Sequence, residues 1–323
     1  MEAEAARKLI SIVIPALNEQ ESIPALEKEL LGVVDPLPYD FEFIVVDNAS
    51  TDGTGEVVRE ICARDPRWRY LRFSRNFGTD SSITAGYRAA KGEAIIVLYS
   101  DLQDPPDVIP QFLEKWQEGY DVVYGVRTVR EGDARWRNAM VKTVYRTIHM
   151  LAEVQIPRNA GDFRLISRQV GDALESCTEY NRYMRGLIAW LGFRQTGVEY
   201  TRRRRNAGES KAPIGFLIPY TLNAFTSFSL KPLRMFTLLG FGLVALSFLA
   251  VPIYIVLSLT GNPPAGITTV IVLLLLAIGI NSLGIGVLGE YLGRTYAETK
   301  RRPLYVVAES LNFDVEPGGR SAT

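Results

Sequence analysis

"AIIVLYSDLQDPPDVIPQF", residues 94–112, decides the fold. An unbroken apolar run, Ala94 to Leu98, meets Tyr99 and then a polar cluster of Asp101, Gln103, Asp104 and Asp107 around two prolines. Apolar runs without alternation belong to strands buried on both faces, as in parallel sheets covered by helices. Proline is tolerated in the first turn of a helix, so Pro105 and Pro106 mark a helix start. The carboxylates therefore gather where a buried strand ends and a helix begins. Locally, Asp104 reads as the N-cap of that helix, with Pro105 at its first position and Asp107 favouring its positive end.

Outward from this stretch the pattern repeats. "LISIVIPA" (9–16), "FEFIVVDNAS" (41–50), "WRYLRFS" (68–74) and "YDVVYGVR" (120–127) read as further strands. Helical spacing fills "EQESIPALEKELLGVV" (19–34), "TDGTGEVVREICAR" (51–64), "GTDSSITAGYRAAKGE" (78–93) and "PPDVIPQFLEKWQEG" (105–119). Strands alternating with helices imply an α/β, doubly wound parallel sheet, whose ligands sit outside the carboxyl ends of the strands. Three such ends carry polar clusters: Asn18-Glu19, Asp47-Asn48 and Asp101–Asp104. "PALNEQES" lacks the glycines of a dinucleotide fingerprint, and no Walker lysine loop occurs, so any nucleotide is held in another way. Further on, Trp136, Met140, Val144, Ile148 and Leu151 space a long helix over 135–157, and a second helix is expected at about 167–178.

The formal net charge of zero gives bulk electrostatics no vote on nucleic acid, and no nucleic-acid partner is expected. Charge is unevenly spread. Residues 213–292 carry only Lys231, Arg234 and Glu290, and the runs 235–259 and 267–289 carry none. A spanning helix needs about 20 apolar residues to cross roughly 30 Å of hydrocarbon. The expectation is a two-helix transmembrane hairpin (about 235–259 and 267–290, within 234–292), turned by "TGNPPAG". Lys231, Arg234, Arg294, Lys300, Arg301 and Arg302 flank it, so both chain ends are placed in the cytoplasm. The domain plan is a cytoplasmic domain 1–212, interfacial helices 213–233, the hairpin and a tail 293–323. The start of the chain reads as a strand rather than a signal peptide. In the cytoplasm Cys62 and Cys177 are expected as free thiols, and the lone His149 lacks the companions of a metal site.

"VIPALNEQESI", "VVDNASTDGT", "SRNFGTDSSITAGYRAAKGE", "SDLQDPPDVIP" and "AGDFRLISR" together resemble the family 2 glycosyltransferases of GT-A fold. "YNRYMRGLIAWLGF" and "RRNAGESKAP", followed by two apolar runs, are similar to the polyisoprenyl-phosphate glycosyltransferases among them. Dolichyl-phosphate mannose synthases and bacterial undecaprenyl-phosphate glucosyltransferases belong to that group. The resemblance implies a Rossmann-like, mixed but mainly parallel sheet. It also implies inverting transfer of a hexose from a nucleotide sugar to a polyisoprenyl phosphate, at the cytoplasmic face of a bacterial inner membrane. Glucose from UDP-glucose is the expected donor, with GDP-mannose or a UDP-aminosugar as alternatives. Mg2+ or Mn2+ is the implied cofactor, and a homotetramer the implied assembly. The tail stretch 303–307 reads as a strand able to pair with a neighbouring subunit.

Carried over by motif, Pro15, Leu17, Asn18 and Glu19 match the family's first nucleotide-binding loop, and Asp47 its base-contacting aspartate. Asp101 and Gln103 match metal and diphosphate positions. Tyr99 stands where the family has a second aspartate, and Asn48 replaces the second of another pair, which predicts a less negative site. Mg2+ commonly keeps several waters, so Asp101, the Gln103 oxygen and a diphosphate can still hold it. Arg127, Arg202, Arg205, Ser210 and Lys211 match positions for the lipid phosphate, which suits the guanidinium fork. Asp162 matches a family carboxylate, a candidate base or sugar-positioning group that could instead pair with Arg164. Two rival readings are a processive polysaccharide synthase and a degenerate transferase domain kept as an interaction module. The first lacks its Gln-x-x-Arg-Trp motif here, and the second sits poorly with the retained Asp101, Gln103 and Asp162.

Overall fold

The computed structural model describes residues 7–127, 160–203, 231–260 and 266–313. In chain order the elements are β1 (Leu9–Ala16), α1 (Ser22–Val34), β2 (Asp40–Asp47), α2 (Thr54–Arg64), β3 (Trp68–Phe73), α3 (Thr79–Ala89), β4 (Ala94–Val97), a 3-10 turn (Pro106–Val108) and α4 (Ile109–Gln117). They continue with β5 (Val122–Arg127), β6 (Ala160–Ser167), α5 (Arg168–Ser176), α6 (Met184–Trp190), β7 (Gln195–Tyr200), α7 (Lys231–Leu259), α8 (Ile267–Thr299) and β8 (Val307–Leu311).

The strands form one sheet in the order β7-β5-β6-β4-β1-β2-β3-β8. β1 lies in parallel between β2 and β4, β2 is parallel to β3, and β5 to β7. Apolar residues on both sides of β1 explain its central place. Ile10, Ile12 and Ile14 join the core layer with α1, α2 and α4, while Val13 joins the layer with α3, α5 and α6. α3 lies so close to the sheet that a Cβ on Gly86 would come within 2.0 Å of Val13 Cγ1.

The periodicity missed β6 and β7, and the tail strand expected at 303–307 falls at Val307–Leu311; the antiparallel β6 and β8 change the sheet from parallel to mixed. β6 inserts antiparallel between β4 and β5, and β8 pairs antiparallel with β3. This is the mixed, mainly parallel α/β sheet that the family resemblance implied. In the tail, Val307–Leu311 pairs with the chain's own β3 and forms the last strand of the sheet. Arg59 holds Glu309 through two hydrogen bonds of 2.8 and 2.9 Å, Tyr305 stacks on Phe73 at 5.0 Å, and the Asn312 amide reaches the carbonyls of Cys62 and Trp68. The edge of β3 is thereby covered from within.

α7 and α8 run for 29 and 33 residues over the two uncharged segments, with Leu238, Phe241 and Phe248 at least 70% exposed. Among the described residues no helix is long and apolar enough to cross a membrane. The spanning hairpin therefore returns below as a proposal. Cys62 and Cys177 are free, as expected, and burial pushes the Cys62 thiol up to about 12. The expected helix over 135–157, His149, and the interfacial segment up to residue 230 lie outside the described residues.

Candidate active site

The carboxyl ends of β1, β2 and β4 are neighbours in the sheet, so their three loops meet. Each loop contains a non-glycine residue in the left-handed region: Asn18 (φ 57°), Ala49 (φ 62°) and Leu102 (φ 54°). Such a backbone costs roughly 1–2 kcal/mol per residue and persists where surrounding contacts fix it. The contacts are present. Asn18 donates its N–H to Ser50 Oγ (2.9 Å) and accepts from Thr51 N–H (2.8 Å), and Glu19 N–H donates to Thr54 Oγ1 (2.9 Å). Ser100 Oγ donates to the Pro15 carbonyl, tying the third loop to the first.

Asp47 lies beneath these loops rather than on them. It is fully buried and accepts Ser50 N–H at 2.7 Å and the Tyr70 hydroxyl at 2.8 Å. Asp47 thereby anchors the β2 loop. Asn48 joins that loop to the next by donating to Asn76 Oδ1 and accepting from Phe77 N–H. Leu17 is 40% exposed on the first loop, where a planar ligand could lie against it.

After β4, Asp101 Oδ1 accepts Gln103 N–H at 3.1 Å across the left-handed Leu102. Asp104 does not cap a helix: the cap position falls to Pro105 and no side chain caps the turn. Its carboxylate is fully buried, accepts the Tyr200 hydroxyl and Arg127 Nη2 (3.4 Å), and lies 3.7 Å from Arg202 Nε. Tertiary attraction from two arginines overrides the local capping preference. Arg127 also donates through Nε to the Tyr200 oxygen at 3.2 Å. Burial alone would lower the Arg127 guanidinium, but the Asp104 charge raises it. Arg202 shows the reverse, lowered by burial and by neighbouring Arg127 despite the charges of Asp104 and Asp101. Arg203 N–H donates to the Gln103 carbonyl at 2.9 Å, fastening this arginine segment to the Asp101 loop.

Val97 lies opposite Arg164 in the β4–β6 ladder, and the same register carried forward brings Tyr99 to Asp162. The Tyr99 hydroxyl donates to Asp162 Oδ2 at 3.0 Å, and Arg185 grips both carboxylate oxygens at 2.6 Å, with Arg164 at 3.9 Å. Burial would raise the Asp162 carboxyl, but Arg185, Arg164 and the tyrosine hydroxyl hold it at about 2. Burial and the Asp162 charge push Tyr99 far above the usual phenol range, so it remains a donor. Asp80, in the first turn of α3, accepts Met184 N–H at 3.4 Å, and burial followed by the Asp162 charge raises it to about 6.

Pro15, Leu17, Asn18, Glu19, Asp101, Gln103, Arg127, Asp162 and Arg202 thus all fall at one edge of the sheet, with Asp47 beneath it. Arg205, Ser210 and Lys211 lie outside the described residues. Arg185, Asp80, Asp104 and Tyr200 were not singled out from the sequence as site residues. Arg185 gave one usable signal, a lone cation inside the apolar "YMRGLIAW". Among the described residues no group of three or more His, Cys, Asp or Glu side chains could hold a metal. The donor set at Asp101 and Gln103 fits instead a cation shared with phosphate oxygens and waters, the way Mg2+ is commonly held.

A mixed α/β sheet with its loops, carboxylate and arginines assembled at one edge defines an enzyme that works at the carboxyl ends of its strands. The model of the family described as "Glycosyl transferase family 2" matches residues 11–177. Similarity to an uncharacterized glycosyltransferase of Bacillus subtilis, YkcC, is 41% identity over 305 residues, 94% of each chain. A bactoprenol glucosyl transferase of Shigella phage SfII is 38% identical over 302 residues, 93% of this chain and 98% of its own. The crystal structure of Mycobacterium tuberculosis glucosyl-3-phosphoglycerate synthase with Mn2+, UDP and phosphoglyceric acid overlaps 67% of this chain and 75% of that one, at 20% identity and a TM-score of 0.46, too distant a likeness to carry an argument. The chain belongs to glycosyl transferase family 2.

Proposed function

We propose that the protein transfers a hexose, glucose from UDP-glucose, to a polyisoprenyl phosphate such as undecaprenyl phosphate, with inversion at the anomeric carbon. The observation that carries this is the fastening of Arg127 and Arg202 beside the Asp101 loop, which brings phosphate-binding groups to the family's donor site. The near full-length likeness to bactoprenol glucosyl transferases supports the same reading.

In the reaction an oxygen of the lipid phosphate forms the new bond to the anomeric carbon. The bond from that carbon to the diphosphate breaks, and the nucleoside diphosphate leaves with the electron pair. A phosphate monoester has its second pKa at about 6, so the nucleophile is already ionised near neutrality and needs no strong base. An Asp162 carboxylate held at about 2 suits that chemistry. It accepts hydrogen bonds from the sugar and stays charged, while Arg185 and Tyr99 fix its orientation. Asp101 and the Gln103 side chain would hold Mg2+ or Mn2+ together with the diphosphate, a cation that neutralises charge on the leaving group.

The helices α7 and α8 are read as the membrane hairpin, which puts the lipid acceptor within reach of the site from the cytoplasmic face. Their uncharged segments and exposed leucines and phenylalanines support this. The test is a donor screen. Full-length protein in detergent with undecaprenyl phosphate receives UDP-glucose, UDP-galactose, UDP-N-acetylglucosamine or GDP-mannose, and lipid products are weighed by mass spectrometry. A glycosyl monophosphate lipid formed from UDP-glucose is expected. Product from another donor alone overturns the sugar assignment, and no lipid product from any donor overturns the function.

A further inference from the structure

We infer that Asp104 is a positioning residue: one buried carboxylate that sets two guanidinium groups, Arg127 and Arg202, at the place where the site receives a phosphate group. This rests on the glycosyl-transfer reading for what the phosphate is, but not for how the residues are arranged.

The side chain has no exposed surface, yet it belongs to no helix cap and pairs with no backbone N–H among the described contacts. Its three partners arrive from two distant parts of the chain. Tyr200 ends β7, Arg127 ends β5, and Arg202 follows β7 by two residues. A buried carboxylate removed from water is costly unless charge and hydrogen bonds compensate it, and here one carboxylate faces two cations. Two guanidinium groups thus converge on one buried carboxylate beside the Asp101 loop. Among the described residues Arg202 Nε is buried without a hydrogen-bond partner, 3.7 Å from Asp104 Oδ1, so the ion pair leaves this donor without a hydrogen bond. Like-charged guanidinium groups held together in this way are stabilised when an anion joins them, and phosphate accepts the guanidinium fork bidentately.

The backbone around them is shaped for this purpose. A Cβ on Gly125 would come within 2.6 Å of the Tyr200 ring, and one on Gly161 within 3.1 Å of the Arg127 guanidinium. Phe163 meets the Tyr200 ring edge-on at 5.6 Å. Tyr200 and Arg127 therefore occupy fitted slots, and Asp104 is the group at which those slots and Arg202 converge. Two phosphate sources share the chemistry, the acceptor's monophosphate and the donor's diphosphate.

The test is binding to the full-length protein in detergent by titration calorimetry, with undecaprenyl phosphate in one arm and UDP in the other. Asp104→Asn keeps the shape and the acceptor for Tyr200 but removes the charge. Loss of a buried charge partner predicts a rise in Kd of roughly ten-fold or more for one ligand, with the other within about three-fold. A selective rise for undecaprenyl phosphate assigns the pair to the acceptor, and a selective rise for UDP assigns it to the donor; either supports the positioning role. Adding Asp104→Asn to Arg127→Ala/Arg202→Ala should cause no further loss of binding and should raise Tm, because it removes a buried carboxylate left without its two cations. This triple variant also serves if the single one folds poorly. Unchanged affinities in Asp104→Asn, equal rises in both arms, or a further loss of binding in the triple variant overturn the inference. Failure of the transfer reading would show separately, as absent glycolipid product from an enzyme whose two affinities still split.

Discussion

Tyr99 stands where the resemblance expects a carboxylate, and its hydroxyl is the third hold on Asp162 after the two from Arg185. A hydrogen bond to a charged group contributes about 1.5–3 kcal/mol, so Tyr99→Phe should slow turnover by roughly 10- to 100-fold if that hold matters in the transition state. UDP affinity should stay near wild type, and initial rates at saturating donor will tell. Asp80 offers a pH-dependent test. Its carboxyl is raised from 3.8 to about 6, so between those values the folded chain holds the proton more tightly than the unfolded one. That contribution to stability is complete below pH 3.8 and falls away as pH rises through 6. Asp80→Asn should therefore be more stable than wild type at pH 7.5, by up to about 3 kcal/mol in unfolding free energy, with the difference shrinking towards zero as pH falls to 4 and below. A constant difference across that range would reject the raised carboxyl.

At the scale of elements, β1 to β5 and the helices between them were readable because their apolar runs are buried on both faces. β6 was not, since "AGDFRLIS" places Asp162 and Arg164 inside a strand where the site needs them. The partner of the tail strand escaped because the pairing of β8 with β3 closes across more than two hundred residues, beyond any local pattern. Asp104 was misread for a related reason. "QDPPD" is a sound capping sequence, but its side chain answers to Tyr200, 96 residues away. The motifs picked out residues that the fold does bring together at one edge of the sheet, whereas the contacts of Arg185, Tyr200 and Asp80 depend on pairings no spacing reveals. Two variants probe the packing. Gly86→Ala forces a methyl into Val13 and should cost about 1–3 kcal/mol, with partial recovery in Gly86→Ala/Val13→Ala. Glu309→Ala removes a half-exposed pair with Arg59 and should cost no more than about 1 kcal/mol, read by thermal unfolding.

Across the whole molecule, the C-terminal chain returns from α8 to the transferase sheet. Glu298 accepts Tyr180 N–H at 2.7 Å, Ser74 N–H donates to the Val306 carbonyl, and β8 completes the sheet. This ties the C-terminal end of the proposed membrane hairpin to the transferase sheet within one chain. A homotetramer keeps only the family resemblance as its support. The hairpin predicts that the protein stays with the membrane through alkaline carbonate washing, and release into the wash would contradict it. The central claim is tested most directly by incubating purified full-length protein with UDP-[14C]glucose and undecaprenyl phosphate and measuring label in the lipid fraction. The account predicts labelled glucosyl undecaprenyl phosphate in wild type and its loss in Asp101→Ala, whereas an unlabelled lipid fraction in wild type, or full labelling in Asp101→Ala, would contradict it.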